Sequence, residues 1–304
     1  MKKIIIPIII IVIIISVFYL YSQPEIRWEV GKTLQVKEGT SPQVNDSSIK
    51  IETVATGINE LTTFAFIGDD ILYLEKINGD IRLIRDGQVN EKILHHFDVY
   101  KTTESGLLGI TTKDNFVYIY VSEPLDEEGK IPKANNIYEF LWTGDELINK
   151  KLVNTLPSRS CCHQGGYMVT SPDGEIFATI GDLENVRTGG KASQLQNNKN
   201  GDIDDTSIIL KVGMDESNLS PMNSEDPFSH YYAIGIRNSF GLAFDPLTGN
   251  LWDTENGQIC CDEINLVHEK FNSGWALVQG MANEDVINLI PEIENFEYSN
   301  PEFT

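Results

Sequence analysis

Four stretches of the chain repeat one phrase: a short run of β-branched and aromatic residues, a tight polar turn, and a second such run. They read "TTFAFIGDDILYLEKINGDIRLIRDG", "GLLGITTKDNFVYIYVSE", "GGYMVTSPDGEIFATIGD" and "SFGLAFDPLTGNLWDTENG", with turns near residues 69, 114, 173 and 248. Apolar runs joined through Asp-Asp, Asp-Asn, Asp-Gly or Thr-Gly read as strand, turn, strand. Past residue 48 the sequence carries no long apolar pattern of helical period, so the expectation is an all-β fold. The turns are unevenly spaced, which requires loops of different lengths between the hairpins. A β-propeller accommodates this, because it repeats sheets about an axis and gathers long loops over a central channel. A β-sandwich would supply strands but not the repeated phrase.

Two segments precede the repeats. Residues 1–22, "MKKIIIPIIIIVIIISVFYLYS", run apolar for close to the length that crosses a bilayer as a helix, behind Lys2 and Lys3. The lysines favour the cytoplasmic side, so the rest of the chain faces outward. No small-x-small cleavage site follows, which favours an uncleaved membrane anchor over a signal segment; if cleaved, the protein is secreted. Residues 23–48 are polar and aperiodic, a tether, and 49–304 form the propeller domain. The 23 basic and 45 acidic side chains leave a net charge of −22. That excludes a nucleic-acid partner, which needs a basic face, and it suits a surface holding divalent cations.

The four cysteines are spent as two adjacent pairs, Cys161-Cys162 directly before His163, and Cys260-Cys261. Outside the cytoplasm cysteines tend to be oxidised, and four of them allow three pairings. Bridges between the two pairs, bridges within each pair, and a soft-metal site using the sulfurs and His163 all fit the spacing.

Four motifs in order, "GLLGI" (106–110), "HQGGYMVTSPDGEIFATIGD" (163–182), "YAIGIRNSFGLAFDPLTGNLWDTENG" (232–257) and "DEINLV" followed by "NSGW" (262–275), resemble the soluble glucose dehydrogenase and aldose sugar dehydrogenase family. The resemblance runs from about residue 50 to the last residue. It implies a six-bladed β-propeller that uses pyrroloquinoline quinone and Ca2+ to oxidise the C1 hydroxyl of an aldose sugar to a lactone. His163 matches the family's general base, a task suited to an imidazole near neutral pH. Asp182 matches the carboxylate that orients it. Arg237 and Asn238 in "GIRN" match cofactor ligands, the guanidinium stabilising charge on the reduced quinone. Glu104 falls where some relatives carry a glutamine beside the cofactor.

The resemblance assigns the carbonyls of Gly257 and Gln258 to the calcium that bridges to the cofactor. Asp262, Glu263 and the Ser273 carbonyl match ligands of further calcium ions, which oxygen donors suit. It also brings both cysteine pairs to one end of the channel, oxidised either as crosslinks between two loops or as adjacent-residue bridges facing the cofactor plane. Relatives continue past "NPEFT" with one or two further blades, so a C-terminal truncation with about four to five blades is expected. A respiratory electron acceptor is the implied partner. A calcium-dependent lactonase-like hydrolase and a non-catalytic binding propeller are the alternatives.

Overall fold

The computed structural model describes residues 44–102, 104–184, 189–214 and 218–304. Two compact units divide the chain, Met1–Thr53 and Val54–Thr304. Residues 44–53 of the first carry no regular element. The 1–22 segment and most of the 23–48 tether lie outside the described residues. Among the described residues no helix is long and apolar enough to cross a membrane.

The second unit is built of successive sheets. The first comprises β1 (Leu61–Ile67), β2 (Asp70–Glu75), β3 (Asp80–Arg85) and β4 (Gln88–Val89), with β5 (His95–His96) also on β3. The second is β6 (Leu107–Lys113), β7 (Phe116–Pro124), β8 (Pro132–Trp142) and β9 (Leu147–Leu156). The third orders β10 (Met168–Thr170), β11 (Ile176–Ile180), β12 (Ile208–Lys211) and β13 (Tyr231–Ile234). It is extended by β17 (Phe271–Asn272) and β18 (Glu297–Tyr298), both paired in parallel. The fourth is β14 (Ser239–Phe244), β15 (Leu251–Glu255) and β16 (Glu263–Val267). All four expected hairpins form, as β1/β2, β6/β7, β10/β11 and β14/β15, each antiparallel. The one α-helix among the described residues, α1 (Glu284–Ile287), is a single turn.

These sheets stack in chain order because their strands are apolar on both faces. Successive side chains point to opposite sides of a strand. In β7, Val117, Ile119 and Val121 therefore join Leu72, Leu74, Ile81 and Leu83 of the first sheet in one core. Tyr118 and Tyr120, between them in sequence, join Met168, Ala178, Ile180 and Leu210 of the third. The third sheet repeats the device, sending Phe177 and Ile209 the other way onto Leu242, Leu251 and Val267 of the fourth. Burying each such side chain stabilises the fold by roughly 1.5–3 kcal/mol. Opening strands β1, β6, β10 and β14 neighbour one another in turn, the succession of propeller blades. Four sheets lie among the described residues, the lower end of the expected four to five.

Candidate active site

The site forms where the loop after β9 meets the ends of β11 and β13. Gln164 anchors that loop: its Oε1 accepts from Asn135 Nδ2 at 2.8 Å and its Nε2 donates to Arg159 O at 2.8 Å. The Tyr120 hydroxyl donates to the Gln164 carbonyl at 2.8 Å, and the His163 main-chain N–H donates to Glu104 Oε2 at 2.6 Å. Glu104 thus grips the histidine's backbone. His163 holds φ 59°, a left-handed conformation that non-glycine residues adopt at a cost of about 1–3 kcal/mol and that clusters at functional sites. Gly181 is required next to it. A Cβ there would lie 2.6 Å from Arg237 O and 2.7 Å from His163 O, so only glycine lets the three segments converge.

His163 Nδ1 lies 2.5 Å from Asp182 Oδ1, and Trp275 Nε1 donates to Asp182 Oδ2 at 2.9 Å. The main-chain N–H of Glu184 donates to Asp182 Oδ1 at 2.8 Å. With both carboxylate oxygens occupied, Asp182 accepts a proton-bearing Nδ1 and leaves Nε2 as the basic nitrogen of neutral His163. Glu184 Oε1 lies 3.8 Å from that Nε2. Arg237 shares the site: its Nη1 donates to Asn256 O at 2.7 Å and Gly257 O at 3.0 Å, and its guanidinium lies 5.5 Å from the Trp275 ring centroid. His163, Asp182, Glu184, Arg237, Gln258 and Trp275 line one cavity of about 400 Å3. A separate depression of about 280 Å3, lined by Lys113, Lys151, Glu175 and Lys211 among others, holds none of the candidate catalytic, cofactor or metal residues.

Behind the cavity wall, buried Asp253, Glu255 and Glu263 share their neighbours. The Ser273 hydroxyl donates to Glu255 Oε2 at 2.7 Å and to Glu263 Oε2 at 3.2 Å. The Arg237 main-chain N–H donates to Glu255 Oε1 at 2.5 Å, Gly280 N–H donates to Glu263 Oε1 at 2.5 Å, and Ser239 Oγ donates to Asp253. Burial, reinforced by the Glu263 charge, pushes the Asp253 carboxyl up to about 7. Burial, then the charges of Glu263 and Asp253, push Glu255 well above the usual carboxylate range. Asp253 Oδ2 and Asn265 Oδ1 are buried without a hydrogen-bond partner. Crowded oxygen donors with spare lone pairs suit a hard divalent cation.

The structure brings together His163, Asp182, Arg237, Asn238 and the 257–258 loop, and refines the rest. Asp262 and Glu263 have different surroundings: Asp262 lies at the surface and accepts from Gly257 N–H at 2.9 Å, while Glu263, opening β16, is buried. The Ser273 hydroxyl bonds Glu255 and Glu263. The cysteines bridge within each pair, Cys161–Cys162 and Cys260–Cys261, which overturns crosslinks between the loops. The two pairs have different surroundings: the Cys161 carbonyl lies against Thr102 Oγ1 at 3.4 Å, whereas Cys261 packs on Gly280. Sequence reasoning passed over Glu184, Asp253, Glu255 and Trp275. Trp275 stood in the quoted "NSGW", Asp253 and Glu255 in "DTENG", and Glu184 two residues past "TIGD", each in or beside a motif but without an assigned role.

Fold and site together define a class, the sheet-repeat protein with a histidine–aspartate pair and a guanidinium over one loop-lined cavity. Residues 58–301 match the glucose/sorbosone dehydrogenase family, and the chain belongs to it. The quinoprotein glucose dehydrogenase B of Acinetobacter calcoaceticus is 30% identical over 205 residues, covering 60% of this chain and 42% of that protein. A crystal structure described as a putative oxidoreductase (glucose dehydrogenase) from Thermus thermophilus matches with 27% identity and a TM-score of 0.63, over 83% of this chain and 71% of that one. The PQQ-bound aldose sugar dehydrogenase of Streptomyces coelicolor shares the fold at 24% identity and a TM-score of 0.57, over 76% of this chain and 67% of that one. The chain spans about half the length of the curated relatives it matches.

Proposed function

We propose that this protein is a sugar dehydrogenase that oxidises the C1 hydroxyl of an aldose to the lactone, using pyrroloquinoline quinone and calcium. The observation carrying this reading is that His163 Nε2, oriented through Nδ1 by Asp182, lines the same cavity as the Arg237 guanidinium. A C1 hydroxyl at Nε2 gives up its proton to the imidazole, and Asp182 stabilises the imidazolium that results. Trp275 donates to Asp182 and its ring lies beside the Arg237 guanidinium.

The residues fit the cofactor. Arg237 Nε and Asn238 Oδ1 are buried without a hydrogen-bond partner, a donor and an acceptor left for a polar, anionic ligand. Arg237, Asn238, Glu104, Gly257 and Gln258 are the residues that would hold it. When bound, the quinone supplies a two-electron acceptor for the hydride leaving C1. For calcium, the Gly257 and Gln258 carbonyls and, as a second group, Asp253, Glu255 and Glu263 are the donors. The acidic domain is taken to face outward from a membrane anchor at 1–22 and to pass electrons to a respiratory acceptor.

The test is dye reduction by the protein with calcium, quinone and a panel of aldoses. Cofactor-dependent turnover with at least one aldose supports the reading. Absence of turnover with every sugar, in a preparation that binds the quinone, overturns it.

A further inference from the structure

We propose that reducing the Cys161–Cys162 bridge creates a binding site for a thiophilic divalent metal, zinc-like in preference, built from Cys161 Sγ, Cys162 Sγ and the Glu184 carboxylate. The ligand atoms of these three residues already lie within 4.8 Å of one another. Zinc–sulfur bonds of about 2.3 Å and zinc–oxygen bonds of about 2.0 Å put tetrahedral ligands roughly 3.3–3.8 Å apart. Opening the bridge lets the two sulfurs move apart toward that spacing. Glu184 is buried, at 5% exposure, so an ion held at its carboxylate is shielded from water. Both cysteines are half-buried, and a reductant can reach them.

The chemistry balances. A dithiol reductant delivers two electrons and two protons to the bridge and leaves as its own cyclic disulfide, giving two cysteine thiols. Metal binding then expels both thiol protons, and two thiolates with one carboxylate meet the divalent ion. A fourth ligand position stays open in a three-residue set. His163 Nε2 lies 3.8 Å from the same Glu184 carboxylate, so a metal held there sits within reach of the imidazole. The ion then competes for the Nε2 lone pair or repels the proton it would accept. This last consequence rests on the proposed role of His163; the metal site itself does not.

The deciding measurement is zinc binding to the whole chain in saturating calcium, without quinone or sugar, comparing the oxidised protein with protein reduced by a phosphine. Reduced protein is expected to bind one more zinc ion than oxidised protein, and Glu184→Gln to weaken that ion at least tenfold. Replacing zinc by cobalt should give a thiolate charge-transfer band, lost in Cys161→Ser/Cys162→Ser and kept in Cys260→Ser/Cys261→Ser. Alkylating the reduced, unmodified sequence should abolish the extra ion, which covers the case of a misfolded variant. Equal zinc binding before and after reduction overturns the proposal. So does extra binding that survives in Cys161→Ser/Cys162→Ser or ignores Glu184→Gln.

Discussion

Two groups of buried carboxylates, one in the first sheet and one in the fourth, have opposite surroundings. Glu75 and Asp80, at the facing ends of β2 and β3, meet the Arg82 guanidinium at 3.2 and 3.0 Å. Asp253, Glu255 and Glu263 take their hydrogen bonds from hydroxyls, an amide and main-chain N–H groups; burial and then the Glu263 charge push Asp253 and Glu255 up, Glu255 also by Asp253. A buried charge paired within the chain completes a structure, whereas crowded buried carboxylates disfavour one another's ionised form. The first group belongs to the scaffold. The second stands behind Arg237, whose main-chain N–H donates to Glu255, and is the group proposed above to hold calcium.

The comparison breaks most sharply at the histidine. His163→Ala should lower kcat by about a hundred- to ten-thousand-fold while quinone binding stays intact, and titration of the cofactor beside dye-reduction kinetics checks both. Calcium at a hundred times its Kd should stabilise the protein by about 2.7 kcal/mol. Asp253→Asn should erase most of that gain, read as melting temperature with calcium and with chelator. Arg82→Gln removes the guanidinium shared by Glu75 and Asp80, leaving them Asn78 and His96, and should cost about 2 kcal/mol, discounted for the partial exposure of the arginine. Its loss in urea unfolding should be the same with and without calcium; a calcium-dependent loss would dissolve the distinction between the two groups.

The smallest effect lies in β5. Burial, then the Lys150 and His96 charges, lowers His95 to about 4, and its ring packs edge-on against Phe97 and Phe140. Its folded pKa lies below the unfolded value near 6.5, so its contribution is complete above about pH 6.5 and is lost as pH falls through about 4. His95→Gln should flatten the acid limb of a melting-temperature profile between those values by a few degrees at most.

The repeated hairpins were legible because turn chemistry and alternation are local. Asp114-Asn115 and Thr248-Gly249 mark their turns wherever the strands go, and Val117, Ile119 and Val121 announce one face of β7 without reference to the rest of the chain. His163, Asp182, Arg237 and Asn238 were legible because they stand inside motifs. Asp253 and Glu255 gave no comparable signal, since an acidic residue in a strand looks the same whether its neighbour is water or another carboxylate. The cysteine pairing was open for a similar reason: four sulfurs in two pairs carry no record of which distances the fold brings within bonding range.

By itself, then, the sequence determined an all-β repeat, the motif residues of the cavity, and a strongly acidic chain. Only the tertiary structure decided that Trp275 reaches Asp182 across 93 residues, that Asp262 and Glu263 turn apart, that each cysteine bonds its own neighbour, and that Glu184 stands between those sulfurs and the imidazole. Alternation and turns are short-range properties written residue by residue. Convergence of charges depends on how whole sheets stack, and that is settled by the packing of Leu, Ile, Val and Phe far from the groups it brings together.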